Sequence, residues 1–363
     1  MYEKIKERVP NFDLHPVFEV EGTKSWKGYG EIKAVLEKEL ARKNEKRVLV
    51  IDYYYNINNK EIEEKIVKEL KPALTIRTDD LMADEDVLHE RLDPYITEDR
   101  INGVFAIGQL NIYFDDKKIE AAQKEIEEAR GLAVVCGIGA SLVTDGDILV
   151  YDNITVQRIK EGYFSDLMNW GMNNPQDDPL TKEKIYNFVE SRYLDNHKRN
   201  LLNKMDFVID GDDKENPVLT TGDDYRAALT YFSSKPFKLV PFFNRGVWGG
   251  RWCKDVLGGG LEKENTAWGM IGWIQWQNTL ARMGENEFRV VGKDIYQYAP
   301  IDFLGNQNFF WFGYNCPVGC DFLDTWGGGN LSLQVHPDIA YAQEHFNFPF
   351  GHYESYYMLD TSE

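Results

Sequence analysis

The sequence predicts an α/β domain with a parallel sheet, followed by a mainly β domain. Three observations carry this. Short apolar runs alternate with amphipathic segments through residues 1–235. From Lys235 glycines and aromatics become dense, as in 242–252 and 308–314. Beyond that point the apolar residues come in short segments of period two, separated by turn residues. Buried strands alternating with helices give a parallel sheet covered on both faces, whereas short, turn-separated strands give a sandwich or barrel.

Taken in order, residues 47–52 (RVLVID) form an apolar run flanked by charge. Residues 59–70 place Ile62, Ile66 and Leu70 on one helical stripe. Residues 74–77, 103–114, 132–143, 148–151 and 207–209 read as further strands, and 116–130, 181–204 and 223–232 as helices. The boundary is expected near 233–236, giving domains 1–235 and 236–363. In the second domain 288–291, 321–326, 331–335 and 355–359 are the strand candidates, and long amphipathic helices are not expected.

Composition excludes several classes. A chain of 363 residues, 43% hydrophobic and 28% charged, is ordinary for a globular protein of two domains. A net charge of −19 argues against general affinity for nucleic acid or anionic lipid, though not against an anionic substrate in a local cationic pocket. No run is long enough to span a membrane, and residues 1–8 lack the apolar core of a signal peptide. Four cysteines, two of them isolated, make no disulfide framework, so a reducing cytoplasm is the simplest compartment. Cys316 and Cys320 are spaced wrongly for a zinc knuckle and are expected to be buried and structural.

Between Arg47 and Lys204 the order of elements resembles P-loop nucleoside and sugar kinases. Leu49-Val50-Ile51-Asp52 stands where their first strand ends, and Gly137-Ile138-Gly139-Ala140-Ser141 with Arg158-Ile159-Lys160 stands at later positions. A working P-loop needs glycines so that backbone N–H groups can reach phosphate, and a hydroxyl for magnesium. With Lys60 in the lysine position, Tyr54 and Asn59 replace the glycines and Glu61 replaces the hydroxyl. The reading is a degenerate kinase-like scaffold without a working P-loop. The Gly137-x-Gly139 pair lacks the third glycine of a dinucleotide fingerprint, since Leu142 stands there.

The chemistry concentrates near the end of the sequence. As a strand, residues 331–335 would point Leu331, Leu333 and Val335 one way, and Ser332, Gln334 and His336 the other. A second strand would put His352, Glu354 and Tyr356 on one face. Amide, imidazole and carboxylate together suit a borderline divalent metal. The alternative is that His336-Pro337-Asp338 is a turn opening a helix over 339–346.

The segments Asp321-Phe322-Leu323-Asp324-Thr325-x-Gly327-Gly328-Gly329-Asn330-Leu331-Ser332-Leu333-Gln334-Val335-His336-Pro337 and Glu354-Ser355-Tyr356-Tyr357-Met358-Leu359-Asp360 resemble type I mannose-6-phosphate isomerase. The likeness is to the long bacterial form with an N-terminal extension. Phe242-x4-Val247-Trp248-Gly249-Gly250-x2-Cys253 is similar to that family's Trp-Gly-Gly entry segment. The resemblance implies a cupin-like partial barrel binding Zn2+, one ion per site, through Gln334, His336 and Glu354. It implies interconversion of mannose 6-phosphate and fructose 6-phosphate, the metal polarising the carbonyl while a base moves a proton between C1 and C2. His352, where many members carry lysine, and Ser332 are the implied catalytic residues, for proton transfer or hydrogen bonding to the hexose 6-phosphate. The family's fourth ligand, a histidine, would lie beyond Glu363, so the expectation is a chain truncated before its site is complete. The rival readings are a non-catalytic sugar-phosphate or metal-binding regulatory protein, and a nucleotide-dependent kinase using 53–60.

Overall fold

The computed structural model describes residues 12–43, 46–359 and 361. The reading of residues 1–8, and Asp360 of the isomerase-like segment, lie outside the described residues. The strands in chain order are Val17–Glu19 (β1), Ser25–Lys27 (β2), Arg47–Tyr53 (β3), Leu74–Arg77 (β4), Leu132–Gly137 (β5), Ile148–Asn153 (β6), Phe207–Asp210 (β7), Val218–Thr221 (β8), Phe242–Asn244 (β9), Trp268–Met270 (β10), Asn278–Met283 (β11), Asn286–Val291 (β12) and Asp321–Leu323 (β13). Two units result. One comprises Glu19–Tyr231 with Arg282–Phe288; the other comprises Phe232–Ala281, the residues from Arg289 onward and those before Glu19.

In the first unit β3, β5 and β6 are buried on both faces, which is why they read as continuous apolar runs. They form the centre of a seven-stranded sheet of order β2-β8-β7-β6-β3-β5-β4. The pairs from β4 across to β7 are parallel, and β8 and β2 are added antiparallel at one edge. From β3 the chain runs to one side for β4 and β5, then crosses to the other for β6 and β7. The strand order therefore reverses between β3 and β6, where parallel sheets form crevices.

The helices follow from spacing and caps. Tyr29–Leu40 buries Tyr29, Ile32, Leu36 and Leu40, one stripe at helical period. Asp116–Glu128 is capped by Asp115, whose carboxylate accepts the N–H groups of Lys117 and Lys118. Residues 59–70 are helical as expected, but pass from an α-turn through a π-turn at Glu63–Val67 to a 3-10 turn at Lys68–Leu70. A second π-turn, Tyr186–Glu190, interrupts the helical run from Pro179 to Leu201.

Two strand expectations in this unit need correction. Residues 103–114 form no strand. They end in a 3-10 turn, Leu110–Tyr113, and bury Ala106, Leu110 and Tyr113. Gly108 at φ 145° and the Ala106 N–H bonded to Phe188 O at 2.8 Å turn this apolar run onto the helical layer. Strand β5 stops at Gly137, and Ala140–Val143 is a helical turn entered through Gly139 at φ 76°.

The second unit is less regular. β9, β10 and β13 make a three-stranded antiparallel sheet with β10 central. One apolar cluster holds Phe243, Cys253 and Leu257, and another Ile274, Tyr296 and Leu304. Short helices persist here: Gly292–Tyr298 and Pro300–Phe312, with a kink at Gly305, were not anticipated, whereas Ile339–Phe346 is the helix of the turn reading. Residues 331–335 and 355–359 form no strands. Period-two alternation shows what a strand could bury, but neither segment has a ladder partner among the described residues, and Leu333 and Val335 are 99% and 95% exposed. Cys316 packs against the second cluster, whereas Cys320 is exposed and not the buried residue expected.

Candidate metal centre

Two glycine-rich segments hold the frame on which the centre sits. Asp324, just after β13, is buried and accepts the Cys253 and Trp326 N–H groups at 2.8 and 3.0 Å. Burial pushes its carboxyl pKa up, and these bonds pull it back. A Cβ on Gly250 would stand 2.3 Å from Asp324 Oδ1, and one on Gly328 would stand 2.4 Å from the carbonyls of Trp248 and Gly249. Trp248-Gly249-Gly250 and Gly327-Gly328-Gly329 thus touch backbone to backbone, sealed by Gly329 N–H to Trp248 O at 3.0 Å.

From Gly329 the chain runs without helix or strand to His336, then loops back to Glu354. Asp338 caps the helix Ile339–Phe346 by accepting the Tyr341 N–H at 2.8 Å, as the turn reading anticipated. Asn347, at φ 53°, ends it in the left-handed conformation, and Phe348 N–H returns to Ala342 O. The loop closes where a Cβ on Gly351 would stand 3.0 Å from Pro337 O and 3.1 Å from Ile339 N. That approach sets His352 beside His336.

The result is a trio. His336 Nε2 lies 3.1 Å from a Glu354 carboxylate oxygen, and the His336 and His352 ring centroids are 4.3 Å apart. One donor atom from each of His336, His352 and Glu354 falls within 4.8 Å of the others. Burial, then the neighbouring His336, lowers the His352 pKa, while Glu354 opposes this. The neutral imidazole that a metal requires is therefore favoured. Tyr356 hydrogen-bonds Glu354, and Asp321 on β13 has its pKa raised by burial and then by the Glu354 charge.

All five residues singled out from the sequence line one cavity of about 540 Å³: Ser332, Gln334, His336, His352 and Glu354, with Tyr356 beside them. The structure places His352 in the trio itself, in ligand range rather than at a distance from it. Its signal was present in the spacing, since His352 and Glu354 are two residues apart and share a face. Asp321 and Tyr356 went unassigned because their proximity to Glu354 depends on the loop closure.

The carboxyl end of the parallel sheet offers a contrast. Tyr53 at the end of β3, and Tyr54 and Tyr55 just after it, are buried in the interior. Tyr54 Oη donates to Asp195 at 2.7 Å, and Tyr55 Oη donates to Glu190 at 2.8 Å. Glu190 also accepts from Tyr163, Asn169 and the Trp170 N–H. Burial nevertheless pushes its carboxyl up to about 7. Asp52 accepts from Gly139 N, Ser141 N, Ser141 Oγ and His197 Nε2, all within 3.0 Å. A carboxylate of the protein thus takes the N–H groups after β5 that an anion could have used. Lys60 and Asn59 are exposed, and Glu61 pairs with Lys214 at 3.7 Å.

No helix among the described residues is long and apolar enough to cross a membrane. Residues 28–234, more than half of the chain, match the family model of a domain of unknown function, DUF8485. No curated protein matches the chain.

Proposed function

This chain belongs to the DUF8485 family, and on that premise we propose that it is a divalent-metal-dependent aldose–ketose isomerase acting on a hexose 6-phosphate. The observation that carries the reading is the convergence of His336, His352 and Glu354 within 4.8 Å, in a cavity also lined by Gln334 and Ser332. Two imidazole nitrogens and a carboxylate are the donor set that Zn2+ takes in catalytic sites, and thiolates are not needed. In this reading His336, His352 and Glu354 hold the ion and the Gln334 amide oxygen completes the set. His352 thereby becomes a ligand rather than the proton carrier that the resemblance implied. Bound Zn2+ supplies a Lewis acid for the sugar's carbonyl oxygen. Ser332 offers a hydroxyl to the sugar, and Tyr356 orients Glu354 through its hydrogen bond.

The resemblance to mannose-6-phosphate isomerases supports mannose 6-phosphate and fructose 6-phosphate as the pair interconverted. It also supports a kinase-like α/β domain over 1–235 and the first part of a cupin domain over 236–363. The buried tyrosines at and after the end of β3 support a scaffold role for that first domain.

The test is metal analysis of the purified chain together with a coupled isomerase assay, on wild type, His336→Ala and Glu354→Gln. One zinc per chain with turnover in the wild type, both lost in the variants, is expected. Zinc without turnover would favour the regulatory alternative, and absence of zinc would sink the reading.

A further inference from the structure

The cavity that holds His336, His352 and Glu354 has walls that the metal chemistry does not use. Leu331, Leu333, Tyr353 and Met358 line it as well. Residues 331–335 form no strand, so Leu331 and Leu333 reach the same cavity as Ser332 and Gln334 instead of an opposite face. Within this apolar wall Tyr353 has a particular place. Its Cα is one peptide, about 3.8 Å, from those of both His352 and Glu354. It is 83% exposed, and it makes no hydrogen bond or ring contact among the described residues. The fold therefore gains little from this ring, which is left for a molecule in the cavity. Tyr356 differs, because its hydroxyl is engaged by Glu354.

A hexose has two kinds of surface. Its hydroxyl edge needs polar partners, whereas its C–H face is apolar and lies favourably against an aromatic ring. The cavity offers both, polar groups at Ser332, Gln334 and the trio, and a ring at Tyr353. We propose that Tyr353 is the sugar-binding platform of this cavity, its ring lying against the C–H bonds of carbons 3 to 5 while carbons 1 and 2 face the trio. The assignment of the two ends rests on the isomerase reading. It also sets the substrate class, since a three-carbon hydroxy-carbonyl compound has the reacting end but nothing to lay on Tyr353. An exposed side chain must be ordered on binding, which offsets part of the gain, so the platform is worth about tenfold in affinity.

The experiment uses the whole zinc-loaded chain and reads binding apart from turnover. Mannose 6-phosphate is titrated calorimetrically into wild type, Tyr353→Phe and Tyr353→Ala, and saturation-transfer NMR shows which sugar protons lie near a ring. Tyr353→Ala should raise Kd about tenfold and Tyr353→Phe less than about twofold. Transfer should reach the protons on carbons 3 to 5 and fall in Tyr353→Ala. KM should rise with Kd while kcat stays within about twofold, because the ring touches ground state and transition state alike. Zinc content should be equal in all three proteins. An unchanged Kd in Tyr353→Ala, or transfer that survives it undiminished, would overturn the proposal even if turnover stands. Loss of zinc in Tyr353→Ala would overturn it too, since the ring would then support the metal site. Sugar binding that depends on Tyr353 in a chain without turnover would uphold the platform and sink the isomerase reading. A wild type that binds no sugar would overturn both.

Discussion

His197 and His336 each lie against a carboxylate, at 2.9 and 3.1 Å, yet the two pairs belong to opposite kinds of environment. The His197 pair is buried, and its Asp52 is saturated by four donors from two segments of chain. The His336 pair is partly open, built on a loop, and shares its space with a second imidazole. Residue type is therefore a poor guide to chemistry. A saturated carboxylate has its lone pairs spent on the fold, whereas an open cluster keeps donor atoms for a ligand.

The comparison breaks first at Asp52. Replacing it with alanine orphans the Gly139 and Ser141 N–H groups and the His197 ring, and is expected to cost about 3–5 kcal/mol in urea unfolding. A loss below ~1 kcal/mol would mean that the interior pair is not structural. Next comes Glu190. Its pKa rises from 4.5 unfolded to about 7 folded, so the stability it contributes is full below pH 4.5 and is lost as pH climbs to about 7. The wild type should lose on the order of 3 kcal/mol relative to Glu190→Gln across that window. A constant difference between the two proteins would contradict the burial argument.

Smaller effects sharpen the open side. Gly351→Val should part the Pro337 and Gly351 segments and lower zinc affinity roughly tenfold, with urea unfolding of the first unit unchanged. The double change Leu333→Ser and Val335→Ser should alter stability by no more than about 0.5 kcal/mol, because both side chains are exposed. A marked loss would restore the core-facing row that their alternation suggests.

The legibility of the sequence followed the same divide. β3, β5, β6 and β7 were readable because strands buried on both faces leave unbroken apolar runs. The helix Tyr29–Leu40 was overlooked although its buried stripe is regular. Gly292–Tyr298 and Pro300–Phe312 were hidden by aromatic density and the Gly305 kink. Residues 331–335 misled for a different reason, since alternation needs a hydrogen-bonding partner that sequence does not reveal. The candidate centre was legible in its members, Ser332, Gln334, His336, His352 and Glu354, but not in its arrangement. That arrangement depends on the capped helix Ile339–Phe346 and on the close approach at Gly351. The glycines of 248–250 and 327–329 gave a functional signal, but their immediate work is to let two backbones touch.

X-ray absorption at the zinc edge of the zinc-loaded whole chain tests the central claim most directly. The account predicts a first shell of nitrogen and oxygen alone at about 2.0–2.2 Å, with imidazole scattering that falls when His352 is replaced by alanine. A sulfur shell near ~2.3 Å, placing the ion on cysteine, or a spectrum unchanged in His352→Ala, would contradict it.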